Sequence, residues 1–137
     1  MTRSDVRSFS IEALEGTAWT EPTSPESGLV SAIHRLRKVP IGELTAWDMT
    51  RLIGQNEGLE WLVPAALQIL SDGIPEQVKG GWYEDDLLFA LLTRSEDFWD
   101  ENPSWEAGLK TIISQLADLT PAIQGTIRSF ENRKGRP

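Results

Sequence analysis

The sequence predicts an all-α protein, a single compact bundle of about six or seven helices with short connections. Three observations predict this class. Apolar residues recur at the helical spacing of about 3.6 positions, the alternation typical of half-buried strands is nearly absent, and helix start and stop signals separate the periodic segments. A chain of 137 residues fits one domain without a disulfide or metal, so residues 1–137 are predicted to form a single helical domain.

The first two predicted helices have clear boundary signals. A short helix over residues 10–15 is stopped by Gly16. After a loop, Ser24 can cap a second helix whose first position is Pro25. That helix extends to about residue 38 and ends before Pro40, because the residue that precedes a proline avoids the helical conformation. Its apolar face is predicted to consist of Leu29, Ile33 and Leu36.

Residues 54–58, GQNEG, could be a ligand-binding loop or an elbow between two helices. The helix before them is predicted to open with a capping box of Thr45 and Asp48. The segment lacks the GK[ST] ending of a phosphate-binding loop, and its glutamate would repel a phosphate. We therefore predict an elbow, in which Gly54 or Asn56 supplies a left-handed helix end and Gly58 lets the chain turn.

Four more helices are predicted in the rest of the chain. The first contains Pro64 with a modest bend and stops at residues 72–73, and the second is apolar on nearly all sides from residue 87 to 92. Residues 74–81 and 95–103 are interpreted as a loop and a short turn. The buried positions expected in these four helices are Leu59, Leu62, Val63, Ala66, Leu70, Leu87, Leu88, Phe89, Leu91, Leu92, Trp105, Leu109, Ile112, Ile113, Leu116, Ile123, Ile127 and Phe130.

The chain offers little catalytic chemistry. It has no cysteine and one histidine. His34 has no nucleophile or orienting carboxylate near it in the sequence, so we interpret it as a surface or boundary residue. One histidine without cysteines also disfavours a zinc site. We predict a protein that is not an enzyme and that has no metal and no cofactor.

Composition also limits the partners. The formal charge is −8, so the body of the protein should repel nucleic acid and anionic membranes and attract basic partners. There is neither a signal-peptide pattern nor an apolar run long enough for a membrane span, and we expect a cytoplasmic protein. Residues 132–137 are predicted to be a frayed basic tail. The apolar faces are accounted for by the predicted helices, so we expect a monomer.

Acidic residues and tryptophans are the features that suggest a binding surface. Between Glu84 and Glu101 the chain has seven acidic residues and one basic residue, Arg94. This run is either a solvated face or an acidic patch for a cationic partner. Trp47 and Arg51 lie opposite the apolar stripe of their helix, so this indole either packs on another helix or is an exposed anchor.

Several segments, in order and spacing, resemble the immunity proteins of bacterial contact-dependent growth inhibition, the CdiI family. They are LEG at residues 14–16 with Trp19, HRLR at 34–37, PIGELT at 40–45 with Asp48, RLIGQ at 51–55, GL at 58–59, LVPAAL at 62–67, YEDDLL at 83–88, FW at 98–99 and NP at 102–103. The similarity covers residues 11–116. The last helix and the basic tail lie outside it.

The resemblance implies an all-helical cytoplasmic protein that binds and neutralises the C-terminal toxin domain of a cognate CdiA-type protein, often a nuclease. It assigns shared motif residues such as Gly54, Gly58 and Pro64 to the fold, and it carries over no contact residues. Trp61 and Trp82 fall outside the pattern and could be local anchors. From the acidic run and Trp82 we predict a toxin-binding set, which comprises Trp82, Glu84, Asp85, Asp97, Asp100 and Glu101. The alternatives are a helical scaffold or adaptor and a small-ligand-binding protein.

Overall fold

Helices make up almost all of the regular structure in the computed structural model, which describes residues 6–16 and 28–132. Nine α-helices lie wholly within these residues: α1 (Ile11–Glu15), α2 (Gly28–Leu36), α3 (Ala46–Gly54), α4 (Leu59–Asp72), α5 (Ile74–Val78), α6 (Asp85–Leu92), α7 (Glu96–Glu101), α8 (Pro103–Gln115) and α9 (Pro121–Asn132). A 3-10 helix spans Ile41–Glu43, and an isolated β-bridge joins Ser10 and Pro40. The predicted all-α class is confirmed.

The described residues fall into two compact units, on either side of the bond between Leu62 and Val63. The first unit contains α1, α2, α3 and the first turn of α4, and the second contains the rest of α4 and the helices that follow it. The predicted cap at Ser24 and Pro25, Trp19 and residues 133–137 of the basic tail lie outside the described residues.

Two short helices were missed by the sequence interpretation, which is why the number of helices exceeds seven. The predicted loop at residues 74–81 contains α5, whose proline lies in the first turn, where it costs no intrahelical hydrogen bond. The predicted turn at residues 95–103 contains α7. Its N-cap is Ser95, whose hydroxyl accepts a hydrogen bond from the Phe98 amide at 3.1 Å. A proline and a glutamate occupy the first turn of α5, and two acidic residues occupy the first turn of α7.

A buried arginine connects three parts of the first unit. Arg37 is 1% exposed. Its Nη2 lies 2.7 Å from Glu15 Oε1 at the end of α1, and its Nη1 lies 2.8 Å from Glu57 Oε1 in the elbow. The Arg37 carbonyl also accepts a hydrogen bond from the Glu12 amide at 3.0 Å. Because the two carboxylates neutralise the guanidinium, the charge can be buried without leaving it unpaired.

The predicted elbow at residues 54–58 is confirmed. Asn56 supplies the left-handed residue, with φ 60°, whereas Gly54 stays helical. The Glu57 amide donates to the Leu52 carbonyl at 2.9 Å, which closes the end of α3 in the manner of a Schellman motif. Gly58 has φ 64°, and a Cβ atom at that position would lie 2.6 Å from Ile11 Cδ1. The chain therefore turns there against a buried side chain of α1.

Several local predictions in the first unit hold and others are wrong. As predicted, Gly16 ends α1, at φ 73°, and Thr45 and Asp48 form both hydrogen bonds of the capping box. Ser10, which was placed inside the predicted helix, is its N-cap. By contrast, Leu29 is exposed rather than buried, and His34, which was interpreted as a surface or boundary residue, is buried. These two side chains lie on α2, where the burial pattern is shifted towards residues 32–34 and 36.

The second unit is built around Trp99, which is completely buried. Its indole makes edge-to-face contacts with Phe98, at a centroid distance of 4.9 Å, and with Phe130 of α9, at 5.6 Å. The leucines of α6 are buried as predicted, but Phe89 on the same helix is 48% exposed. Helix α4 continues through Pro64 without a break. Among the other predicted core positions, Leu109, Ile112, Ile113 and Ile127 are buried, whereas Trp105, Leu116 and Ile123 are half-buried.

We expect Arg37→Ala to destabilise the protein by about 3 kcal/mol, because it leaves the Glu15 and Glu57 carboxylates without their buried partner. Arg35→Ala is the matched control, since Arg35 lies on α2 with an exposed side chain, and it should change stability by less than about 0.5 kcal/mol. Denaturant unfolding measures both. Equal effects of the two substitutions would show that the buried ion pairs contribute nothing specific.

A pair of glycine substitutions tests the elbow. Gly58→Ala should destabilise by about 2–4 kcal/mol, since it adds left-handed backbone strain to a clash with Ile11. Gly54→Ala should stabilise by roughly 0.5–1 kcal/mol, because Gly54 is helical and a methyl group there meets nothing within 4 Å. Thermal unfolding of the two variants measures both changes, and a loss of stability at residue 54 equal to that at residue 58 would contradict the geometry.

Candidate functional site

The six predicted toxin-binding residues all belong to the second unit and form two groups. The first acidic group consists of Trp82, Glu84 and Asp85, at the start of α6, and the second acidic group consists of Asp97, Asp100 and Glu101, on α7. Five of the six residues are exposed, and Glu84 is partly exposed. The two groups lie at different helices, so the acidic residues between positions 84 and 101 form two separate surface sites.

Tyr83 fixes the first acidic group. Its side chain is buried, and its hydroxyl donates a hydrogen bond of 2.8 Å to the carbonyl of Leu70, in the last turn of α4. That turn has carbonyl groups without intrahelical partners, so the bond satisfies one of them. Burial and the nearby charge of Asp85 raise the pKa of Tyr83. The hydroxyl therefore remains protonated and keeps its role as a donor.

The neighbours of Tyr83 point towards solvent. Trp82 is 79% exposed, and its indole Nε1 donates to Glu84 Oε1 at 3.3 Å. An indole that is this exposed contributes little to folding by burial, but it offers a large apolar surface to a partner. The hydrogen bond holds an aromatic side chain and an acidic side chain next to each other at the surface.

Acidic neighbours make Asp85 an unusual carboxyl. Partial burial raises its pKa, and the charges of Asp86 and Glu84 raise it further. These three acidic residues are adjacent in sequence, and the positive end of the α6 dipole provides a favourable place for them. Their repulsion still leaves an excess of negative charge there. A cationic partner would relieve it.

The second acidic group lies on the side of α7 that does not face the core. Asp97 is one turn from Asp100 and Glu101, and all three are exposed. Between them, Trp99 is buried and Phe98 is half-buried. The aromatic pair therefore anchors α7 to the core and leaves its carboxylates at the surface. The aromatic residues stabilise the fold, and the acidic residues are available to a partner.

The sequence interpretation missed Phe89 as a surface residue. Phe89 is 48% exposed, and it lies one helical turn after Asp85 and Asp86, which are exposed on α6. An aromatic ring thus extends the first acidic group along the helix. The spacing from the two aspartates was visible in the sequence, but the abundance of leucines around Phe89 indicated a helix buried on all sides.

Trp47 is a second exposed indole, in the first unit. It is 57% exposed on α3, opposite the buried side chains of that helix. This exposure favours the alternative in which Trp47 is an exposed anchor. Trp61 is half-buried.

Neither metal-binding nor membrane-spanning features occur in the described part of the chain. Within residues 6–16 and 28–132, there is no group of three or more His, Asp or Glu side chains that could hold a metal ion. In the same residues, no helix is long and apolar enough to cross a bilayer.

The comparison with protein families agrees with the sequence motifs. A family model described as CDI immunity proteins matches residues 13–109, which is well over half of the chain. The matched span contains both acidic groups and the elbow, and it confirms the resemblance to this family. No match was found among curated proteins or among solved structures.

The raised pKa of Asp85 can be measured directly. In an NMR titration, we expect its carboxyl carbon to titrate above the ordinary aspartate value of about 3.9. Asp86→Asn should lower the pKa of Asp85, because it removes a neighbouring negative charge, whereas Asp72→Asn should leave it unchanged. The folded state holds this proton more tightly than the unfolded chain, so Asp85 reduces stability as the pH rises through its pKa. A midpoint at or below the ordinary value would contradict this description.

Proposed function

Because the chain belongs to the CDI immunity proteins, we propose that it binds and neutralises the C-terminal toxin domain of a cognate CdiA-type protein. Family membership supports an immunity role, and the exposed acidic and aromatic residues of the second unit support toxin binding at that surface. The single observation that carries the binding proposal is the exposed indole of Trp82, hydrogen-bonded to Glu84 beside Asp85. Aromatic residues with complementary charge are typical of the strongest contacts in protein interfaces.

The proposed contact surface consists of both acidic groups together with Phe89. All of these residues lie within the span matched by the family model. The aromatic side chains would supply most of the binding energy, since buried aromatic anchors dominate many interfaces. The carboxylates would direct the encounter and set its orientation, because charge complementarity acts mainly on association and specificity.

We further propose that the toxin is a nuclease. An enzyme that cleaves nucleic acid must attract phosphate groups, so the surface around its active site is basic. An acidic protein with a net charge of −8 is complementary to such a surface. Inhibition then requires a stoichiometric complex and no catalysis by the inhibitor, which acts as a monomer in the cytoplasm of the cell that it protects.

The direct experiment uses the toxin domain encoded next to this gene. Calorimetric titration of that domain should show one-to-one binding with a dissociation constant of about 1 nM or below, or about −12 kcal/mol. A parallel assay should show that the nuclease activity falls to zero at one equivalent. Tight binding with full residual activity would contradict neutralisation, and the absence of binding would contradict the choice of partner.

Charge reversal tests the acidic surface. The double variant Asp97→Lys/Glu101→Lys should slow association with the toxin by about tenfold or more at low salt, and it should flatten the dependence of the association rate on ionic strength. Both side chains are exposed on α7, so the fold should persist. Stopped-flow fluorescence measures the rates.

The matched control is Asp72→Lys/Glu131→Lys, which changes the net charge equally at exposed positions of the same unit. If this control slows association as much as the α7 variant, only the overall charge matters and the acidic patch has no special role. Trp82→Ala should instead act on dissociation, because it removes an aromatic contact rather than a charge.

A further inference from the structure

A pocket of about 170 Å³ lies in the second unit and shares Asp85 with the first acidic group. The end of α5 contributes Gln77, the start of α6 contributes Tyr83 and Asp85, and the connection between α8 and α9 contributes Asp118 and Thr120. Segments that are distant in sequence thus line one pocket. Neither the family match nor the acidic run assigns a role to it.

The walls of this pocket are fixed without a ligand. The side-chain amide of Gln77 donates to the carbonyl of Ala117 and accepts from the amide of the same residue at 3.0 Å. These two hydrogen bonds to the backbone of Ala117 hold the connection between α8 and α9 against α5. Tyr83, another lining residue, is held by the hydrogen bond from its hydroxyl to the Leu70 carbonyl. A site that is formed in advance loses little conformational entropy when it binds.

The charge of the pocket selects its occupant. Its lining residues in the described chain include two carboxylates, Asp85 and Asp118, and no lysine, arginine or histidine. Glu84 and Asp86 add negative charge next to Asp85, and these charges together with partial burial raise the pKa of Asp85. A phosphate or carboxylate ligand would be repelled here, whereas a cation would gain from both carboxylates.

Size and ligand number distinguish between the possible cations. A volume of about 170 Å³ corresponds to roughly five or six water molecules, which is room for one long side chain. Two carboxylates are few for Ca²⁺, which takes six to eight oxygen ligands, and Mg²⁺ is bound mainly with water and substrate phosphates. A guanidinium is planar and presents five N–H donors, so it can bond two carboxylates at once.

An exposed tryptophan is next in sequence to two residues that line the pocket. Trp82 stands in sequence between Gly81 and Tyr83, which both line the pocket, and its indole is 79% exposed. Arginine binds favourably to the face of an indole as well as to carboxylates. Two carboxylates in the lining, with an exposed tryptophan adjacent in the chain, therefore favour an arginine over a lysine or a metal ion.

We propose that this pocket receives an arginine side chain from the basic surface of the toxin, with Asp85 and Asp118 as the carboxylate partners of the guanidinium. The proposal rests on the proposed function and extends it by naming the chemistry of one contact. It also adds Asp118, which lies outside the run from residue 84 to 101, to the interface.

The first test is Asp118→Asn, measured as toxin affinity by calorimetry. Asp118 has φ 50°, and asparagine tolerates this left-handed conformation, so the variant removes a charge while it keeps the local shape. We expect toxin binding to weaken by about tenfold or more. Glu131→Gln removes one exposed charge from α9 in the same unit and should stay within about twofold of the parent protein. Equal affinities of the parent and Asp118→Asn, with unchanged unfolding temperatures, would overturn the proposal.

The second test uses a small probe and does not depend on the toxin. In NMR titrations with N-acetylarginine amide, the amide signals of Gly80, Gly81 and Thr120 should shift in the parent protein and not in Asp118→Asn. N-acetylnorleucine amide, which lacks the guanidinium, and magnesium chloride should leave these signals unchanged. Equal shifts with either control would overturn the arginine assignment. If the toxin does not bind the parent protein, the proposed function fails, and the arginine titration alone decides whether the pocket binds a guanidinium.

Discussion

The hydrogen bond from the Tyr83 hydroxyl to the Leu70 carbonyl is the constraint on which the first acidic group and the pocket depend. The tyrosine ring packs against Gly73, where a Cβ atom would lie 3.0 Å from the ring. With Tyr83 facing inwards, Trp82 is directed towards solvent and Asp85 begins α6 beside the pocket. One buried side chain thus determines the position of an aromatic anchor and of a carboxylate. The aromatic side chain and the carboxylate are already positioned before a partner binds, which lowers the entropic cost of binding.

The first unit uses buried charge for a structural purpose. Arg37 bonds Glu15 and Glu57, so the end of α1, the residue after α2 and the elbow are held by one guanidinium. Gly58 completes the junction because only a residue without a side chain fits against Ile11. Gly58 of the elbow therefore serves the fold, as the family resemblance implies for its shared motif residues, whereas Gly54 occupies an ordinary helical position. Function is better sought on surfaces where acidic and aromatic residues lack a structural role.

Local signals in the sequence predicted where helices begin and end more reliably than they predicted which side chains are buried. The capping box at Thr45 was predictable because it depends on residues three positions apart. Burial depends on what packs against a helix, which periodicity does not reveal. For that reason, the buried Arg37 and the exposed Phe89 were not predicted. The pocket was equally hidden, because Asp118 reaches it from a segment more than thirty residues after Asp85 in the chain.

Hydrogen–deuterium exchange of the whole protein, with and without the cognate toxin domain, tests most directly whether the toxin binds the acidic surface. We expect slower exchange in the complex for backbone amides of residues 79–86, 95–101 and 117–120. Exchange should stay unchanged for residues 46–58, which contain the elbow and the exposed Trp47. A complex that protects residues 46–58 and leaves the other three segments unchanged would contradict binding at the acidic surface.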